Sequence, residues 1–227
     1  SKSKTTRTQT YAKAERIKAD VSDMNVVVKQ GKTFSVKYAG EKSNQPTIAK
    51  KNGTIIINSK SRKHGFSFNG FSFSSTGFYH GVANDRLTIT VPKNVKLKHL
   101  QLRVNDGQVI QEPAAKMKIE KYDLQVNDAS QVSLSNLEIE RADFRFNDTD
   151  TAFNGLTINS GQLHFNDNDL AVNDSTLTKT LVQTADSDIT MNSVALDSGN
   201  LSTQDGDVHF NDITIANGYS ITAKDGD

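Results

Sequence analysis

Phe144 to Asp167 reads FRFNDTDTAFNGLTINSGQLHFND. It opens on Phe-Arg-Phe-Asn-Asp and closes on Leu-His-Phe-Asn-Asp, with Asp148 and Asp167 standing 19 residues apart. Working outward, one Asp recurs as an anchor at Asp106, Asp128, Asp148, Asp167, Asp186, Asp205 and Asp225, in steps of 22, 20, 19, 19, 19 and 20. Two residues before each anchor stand Val104, Val126, Phe146, Phe165, Thr184, Thr203 and Ala223; four before stand Leu102, Leu124, Phe144, Leu163, Val182, Leu201 and Ile221. Further alternating pairs, such as Leu137 and Ile139 or Val194 and Leu196, follow each anchor, with Leu177 marking a looser coil. Period-two alternation sends every second side chain to one face. A coil of about 19 residues has no room for a helix and cannot bury that face alone; stacked coils can. The repeat predicts a parallel β-helix of six to seven coils of about 19–22 residues over 99–227, right-handed by the usual hand of parallel crossovers. Leu102, Val104, Leu124, Val126, Phe144, Phe146, Leu163, Phe165, Leu196 and Ile215 are the expected inward positions. Asp227 falls in mid-coil, so further residues or a covering partner are expected beyond it.

Composition agrees. The 227 residues include 20 Asn and 20 Asp but 6 Glu, no Cys and 3 Pro. Asn and Asp belong to turns, whereas helices favour Glu, Ala and Leu. A disulfide framework and a Cys-based zinc site are excluded, and no apolar run approaches the roughly 20 residues of a membrane-spanning helix. The net charge of +1 hides a division: residues 1–98 carry 19 Lys and Arg against 5 acids, residues 99–227 carry 8 against 21. The division marks an expected boundary near Leu97 to Leu100. It is read either as a basic surface for an anionic polymer or as two surfaces of different chemistry.

The N-terminal half predicts a short β-region over 11–98. Ser1 to Thr10 is polar and reads as a tether; the start lacks a leader, as in a trimmed chain whose anchor lies upstream. Asn25 to Val28, Phe34 to Tyr38 and Leu87 to Val91 read as strands, and Asn52-Gly53 as a hairpin turn. Residues 59–85 form a Gly-, Ser- and Phe-rich insertion. Its Phe66, Phe68, Phe71, Phe73, Phe78 and Tyr79, beside Arg62 and Lys63, are the candidate partner-binding residues: rings that either cap the open solenoid end or form an interaction patch for an anionic polymer.

Some of these segments resemble a known family. Ile17-Lys-Ala-Asp-Val-Ser22 with Asn25 to Val28 resembles the opening of the bacterial putative-adhesin domain, a domain of unknown function. Leu87-Thr-Ile-Thr-Val-Pro-Lys-Asn94 resembles its linking strand, and Asp186-Ser-Asp188 and Asp205-Gly-Asp207 its coil turns. The resemblance covers roughly residues 15–58 and 86–227; it departs in using Asn-Asp for Ser-Gly at four turns and in the inserted segment. It implies an envelope-associated, non-enzymatic β-solenoid, in some members tied to envelope-stress signalling or surface attachment, and no particular ligand.

Chemical motifs are missing: no Gly-x-Ser-x-Gly, His-Glu-x-x-His, phosphate loop or dinucleotide fingerprint occurs. The five His are scattered, and His164 and His209 read as outward-facing. Catalysis needs a unique pair of groups, whereas the Asp recur in every coil as architecture would. The pairs Asp148 and Asp150, Asp167 and Asp169, Asp186 and Asp188, and Asp205 and Asp207 read either as turn caps accepting backbone N–H groups or as Ca²⁺ ligands. Asn105, Asn127, Asn147 and Asn166 form a second column able to hydrogen-bond from coil to coil. The expected function is a non-catalytic cell-surface or envelope module, extracellular or envelope-attached, without cofactor beyond possible Ca²⁺. Its partner is an envelope polymer or surface protein, not nucleic acid, and it meets membrane only through an upstream anchor. A glycan-active β-helix enzyme and a purely structural stalk are the alternatives.

Overall fold

A computed structural model describes residues 3–59, 84–129 and 131–226. The described residues are all-β, with one 3₁₀ turn among them at Lys42–Asn44. In order, the strands are β1 (Lys4–Tyr11), β2 (Arg16–Ser22), β3 (Asn25–Gly31), β4 (Phe34–Glu41), β5 (Thr47–Lys51), β6 (Thr54–Asn58), β7 (Arg86–Pro92), β8 (Lys96–Asn105) and β9 (Val109–Gln111). There follow β10 (Met117–Asn127), β11 (Val132–Ile158), β12 (Gly161–Thr178), β13 (Thr180–Ala185), β14 (Ile189–Asp197), β15 (Asn200–Gln204), β16 (Val208–Ala216) and β17 (Ser220–Lys224).

From β8 onward every ladder joins successive coils in parallel, giving a β-solenoid of about six turns. The anchors explain the bend. Asp106, Asp128, Asp148, Asp167, Asp186, Asp205 and Asp225 all have positive φ, between 50° and 56°. Asp and Asn accept this left-handed conformation more readily than most residues. A second set of left-handed residues follows at Asn136, Gly155, Asp174, Ser193 and Asp212, and a third at Lys179, Ser198 and Asn217. The last three coils therefore turn three left-handed corners each.

The inward columns are those the alternation predicts. Leu102, Leu124, Phe144, Leu163, Val182 and Leu201 stack in register, beside Val104, Val126, Phe146 and Phe165, and all are buried. Phe146 and Phe165 meet edge to face with centroids 5.2 Å apart, within a cluster that includes Tyr122, Phe144 and Phe153. Ile215 differs from expectation: it is 49% exposed, as Phe210 is at 36%. Both lie in the last described coil, where no further coil stacks to cover them.

The N-terminal β-region also departs in part from the sequence reading. Lys4 to Tyr11 is no tether but strand β1, paired antiparallel along β4 from Lys4↔Glu41 to Tyr11↔Phe34. An edge strand needs only backbone partners and tolerates a polar sequence, and the Thr residues of this segment suit extended structure. The hairpin is as expected: β5 and β6 pair antiparallel about Asn52 and Gly53, whose φ values are 51° and 76°. The boundary near residues 97–100 is not a break in stacking. β8 pairs in parallel with β2, and β9 with β3, so coils begin near Arg16. β2 also pairs with β6 and β3 with β7, so the first coil is interposed between strands that follow it in the chain.

Candidate functional site

The solenoid presents repeated polar columns and one heterogeneous face, and the two behave differently. Among the repeated columns, Asn127 Nδ2 donates to Asn105 Oδ1 and Asn147 Nδ2 to Asn127 Oδ1, each at 2.9 Å. Asn166 continues this column in register with Asn147. A second ladder, unnoticed in the sequence, runs from Asn192 to Asn173 at 3.1 Å and from Asn173 to Asn154 at 3.0 Å. Its signal was available: these Asn also repeat every 19 residues.

The Asp columns are likewise tied into the scaffold. Asp188 Oδ1 accepts the backbone N–H of Asp207 at 3.0 Å, and Asp169 Oδ1 that of Asp188 at 3.3 Å. The accepted N–H thus belongs to the next coil rather than to the Asp's own turn. Among the described residues no group of three or more His, Cys, Asp or Glu side chains is arranged to hold a metal ion. The pairs at Asp148 and Asp150, Asp167 and Asp169, Asp186 and Asp188, and Asp205 and Asp207 form no such group. Burial and the facing carboxylates of Asp106 and Asp148 push the Asp128 carboxyl above its ordinary value.

The remaining face carries a trough. Arg103, Gln125, Arg145, His164, Gln183 and Ser202 form one outward column, each in register with the next across adjacent strands. A concavity of about 570 Å³ opens over Gln125, Arg145, His164, Gln183, Ser202 and Gln204. A smaller one of about 200 Å³ adjoins it through Gln125 and Arg145 and reaches Gln101, Arg103, Asp123 and Asp143. Asp123 Oδ2 lies 2.5 Å from His99 Nε2 and 3.8 Å from Lys121 Nζ; Asp143 Oδ1 lies 3.6 Å from Arg145 Nε.

Asp123 and Asp143 are in register on adjacent strands, about 4.8 Å apart at the backbone. A carboxyl acting as general acid occupies an apolar or like-charged pocket, whereas each of these faces its own cationic side chain. The trough can hydrogen-bond a ligand.

Arg62, Lys63, Phe66, Phe68, Phe71, Phe73, Phe78 and Tyr79 lie outside the described residues. His164 is half-buried on the outward face and His209 is exposed, as the alternation predicts. Among the described residues no helix is long and apolar enough to cross a membrane.

A family model described as Toastrack DUF4097 matches residues 14–227. This chain belongs to the Toastrack family. The match begins at the first coil and takes in every described coil, so the Toastrack unit includes β2 and β3 as well as the regular repeat. Among solved structures, the putative lipid binding protein of Parabacteroides distasonis ATCC 8503 is similar over 99% of this chain and 95% of its own, with 13% identity and a TM-score of 0.52. The putative adhesin of Bacteroides fragilis NCTC 9343 is similar over 98% of both chains, with 13% identity and a TM-score of 0.45. At such identities the likeness concerns the fold alone. No curated protein matches the chain. The Toastrack assignment agrees with the resemblance to the putative-adhesin domain drawn from Ile17 to Val28, the linking strand and the coil turns.

Proposed function

We propose that this domain is a non-catalytic binding module displayed at the bacterial cell surface or envelope, and that its trough engages an envelope polymer or surface molecule. The observation that carries this reading is the contrast between faces. Asn and Asp in the repeated columns hydrogen-bond one another or the next coil's backbone. Gln125, His164, Gln183 and Gln204 line the trough with no side-chain hydrogen bond inside the described protein. Polar groups left free along a concave, rigid surface are what a binding site requires.

Nucleic acid is not part of the proposal, because Arg103 and Arg145 in the trough are matched by Asp123 and Asp143. A lipid ligand, suggested by one neighbour's name, fits less well, since an acyl chain needs a continuous apolar lining. Incubating the domain with isolated cell-envelope material, with and without Ca²⁺, tests the reading. Saturable retention without release of new reducing ends is expected in both conditions. Absence of retention would favour a structural stalk; release of reducing ends that depends on Asp123 and Asp143 would make the protein an enzyme.

A further inference from the structure

We infer that the trough recognises an extended glycan of low net charge, laid along the solenoid axis. This rests on the reading of the domain as a surface-binding module and names the class of ligand. Three features of the trough converge on it.

The first is heterogeneity within a repeat. In the Asn ladders the same residue recurs at each rung and meets its own kind above and below. In the trough column successive rungs read Gln125, Arg145, His164, Gln183 and Ser202. Such a sequence of side chains contributes no ladder. It does offer a different donor and acceptor set at each coil, as recognition of a defined ligand demands.

The second is chemistry. A primary amide carries two donors and an acceptor side by side, and so matches adjacent hydroxyls of one sugar. Gln125, Gln183 and Gln204 supply amides, while His164 and Ser202 add groups that donate or accept. Leu181, on the same outward face two residues before Gln183, is 45% exposed. It stands beside the concavity rather than in its lining, where it can meet the C–H face of a pyranose. Two Arg against two Asp leave the trough without net charge, which disfavours a polyanion. A peptide strand would seek an open sheet edge rather than this face.

The third is spacing. Rungs in a parallel stack recur about every 4.8 Å, close to the length of one residue in an extended glycan. The two joined concavities cross β8, β10, β11, β12, β13 and β15, five spacings or about 24 Å. That length accommodates several sugars in a row, one polar rung to each.

A glycan array probed with the intact domain, followed by titration of the best ligand, tests the inference. At least one neutral or zwitterionic oligosaccharide should bind. Gln183→Ala and His164→Ala should each weaken it tenfold or more, about 1.4 kcal/mol, with no change in Tm because both side chains face outward. Asn173→Ala should do the reverse, lowering Tm and leaving glycan affinity intact. Hyaluronan and phosphatidylglycerol vesicles serve as the anionic and lipid probes. The inference is overturned if no neutral or zwitterionic glycan binds, if binding ignores the Gln183→Ala and His164→Ala double variant, or if either anionic probe is preferred. Retention on envelope material without any glycan binding would sink the ligand class and spare the binding module; loss of both would sink the two together.

Discussion

Asn147 donates its side-chain amide to Asn127 at 2.9 Å, and Asn127 repeats the contact one coil below with Asn105. Each rung is local, yet it fixes the rotation of one coil against the next at the edge of the trough, where Asn147 itself stands. The ladder therefore connects the stability of the stack with the geometry of the binding face.

Replacing the middle rung tests that connection. Asn127→Ala removes one donated and one accepted hydrogen bond, each with a net worth of about 1 kcal/mol. A loss of about 1–2 kcal/mol in urea unfolding is expected. An unchanged midpoint would mean that water replaces both bonds without cost.

The aromatic cluster and the last coil should respond very differently to the same truncation. Phe146 is 1% exposed and stacked against Phe144 at 5.6 Å, whereas Phe210 is 36% exposed. Phe146→Ala should cost about 3–5 kcal/mol, as for a fully enclosed ring. Phe210→Ala should cost well under half of that. Equal effects would contradict the uncovered state of the last described coil.

Toward that coil the inward column changes from Phe146 and Phe165 to Thr184 and Thr203, whose buried hydroxyls lack a hydrogen-bond partner. Thr184→Val keeps the shape and removes an unpaired polar group, and should raise stability by about 1 kcal/mol. Destabilisation would show that the hydroxyl bonds the backbone after all.

The Asp column sets a pH dependence with a definite sign. The Asp128 carboxyl is raised by burial and by Asp106 and Asp148, so the folded protein holds this proton more tightly than the unfolded chain. Between the ordinary carboxylate value and the raised one, stability should fall as pH rises. Asp128→Asn suits the left-handed corner, where φ is 55°, and should raise Tm at neutral pH while flattening that slope. Thermal melts across the acid range give both readings; a slope of opposite sign would refute the crowding of these carboxylates.

Much of this was legible from the residues because the solenoid writes its geometry locally. An Asp at one left-handed corner of each coil, with an apolar residue four places before it, is visible without any knowledge of pairing. Strand β1 was not legible, because its partners are backbone groups of β4 and its side chains need no pattern. The order of the first coils was hidden too: nothing in Ile17 to Val28 announces that β2 sits between β6 and β8. The trough escaped for the opposite reason to the ladders. Gln125, Arg145, His164 and Gln183 share a column, but no residue type recurs from one rung to the next, so a search for repetition passes over them.

That interposed first coil has a consequence for how the chain is made. Val26 meets Val109 across 83 residues, while later coils meet neighbours only 19 to 23 residues away. Contacts between distant segments are slow to form because a long loop must close first. Strand β3 must therefore wait for β7 and β9, although β1 and β2 can already pair with β4 and β6. Once β8 has closed over β2, each later coil has a template in place and can add by a short-range step. Folding would then advance in one direction along the axis, slow to start and quick to finish, and the heterogeneous face would be assembled only as that front passes beneath it.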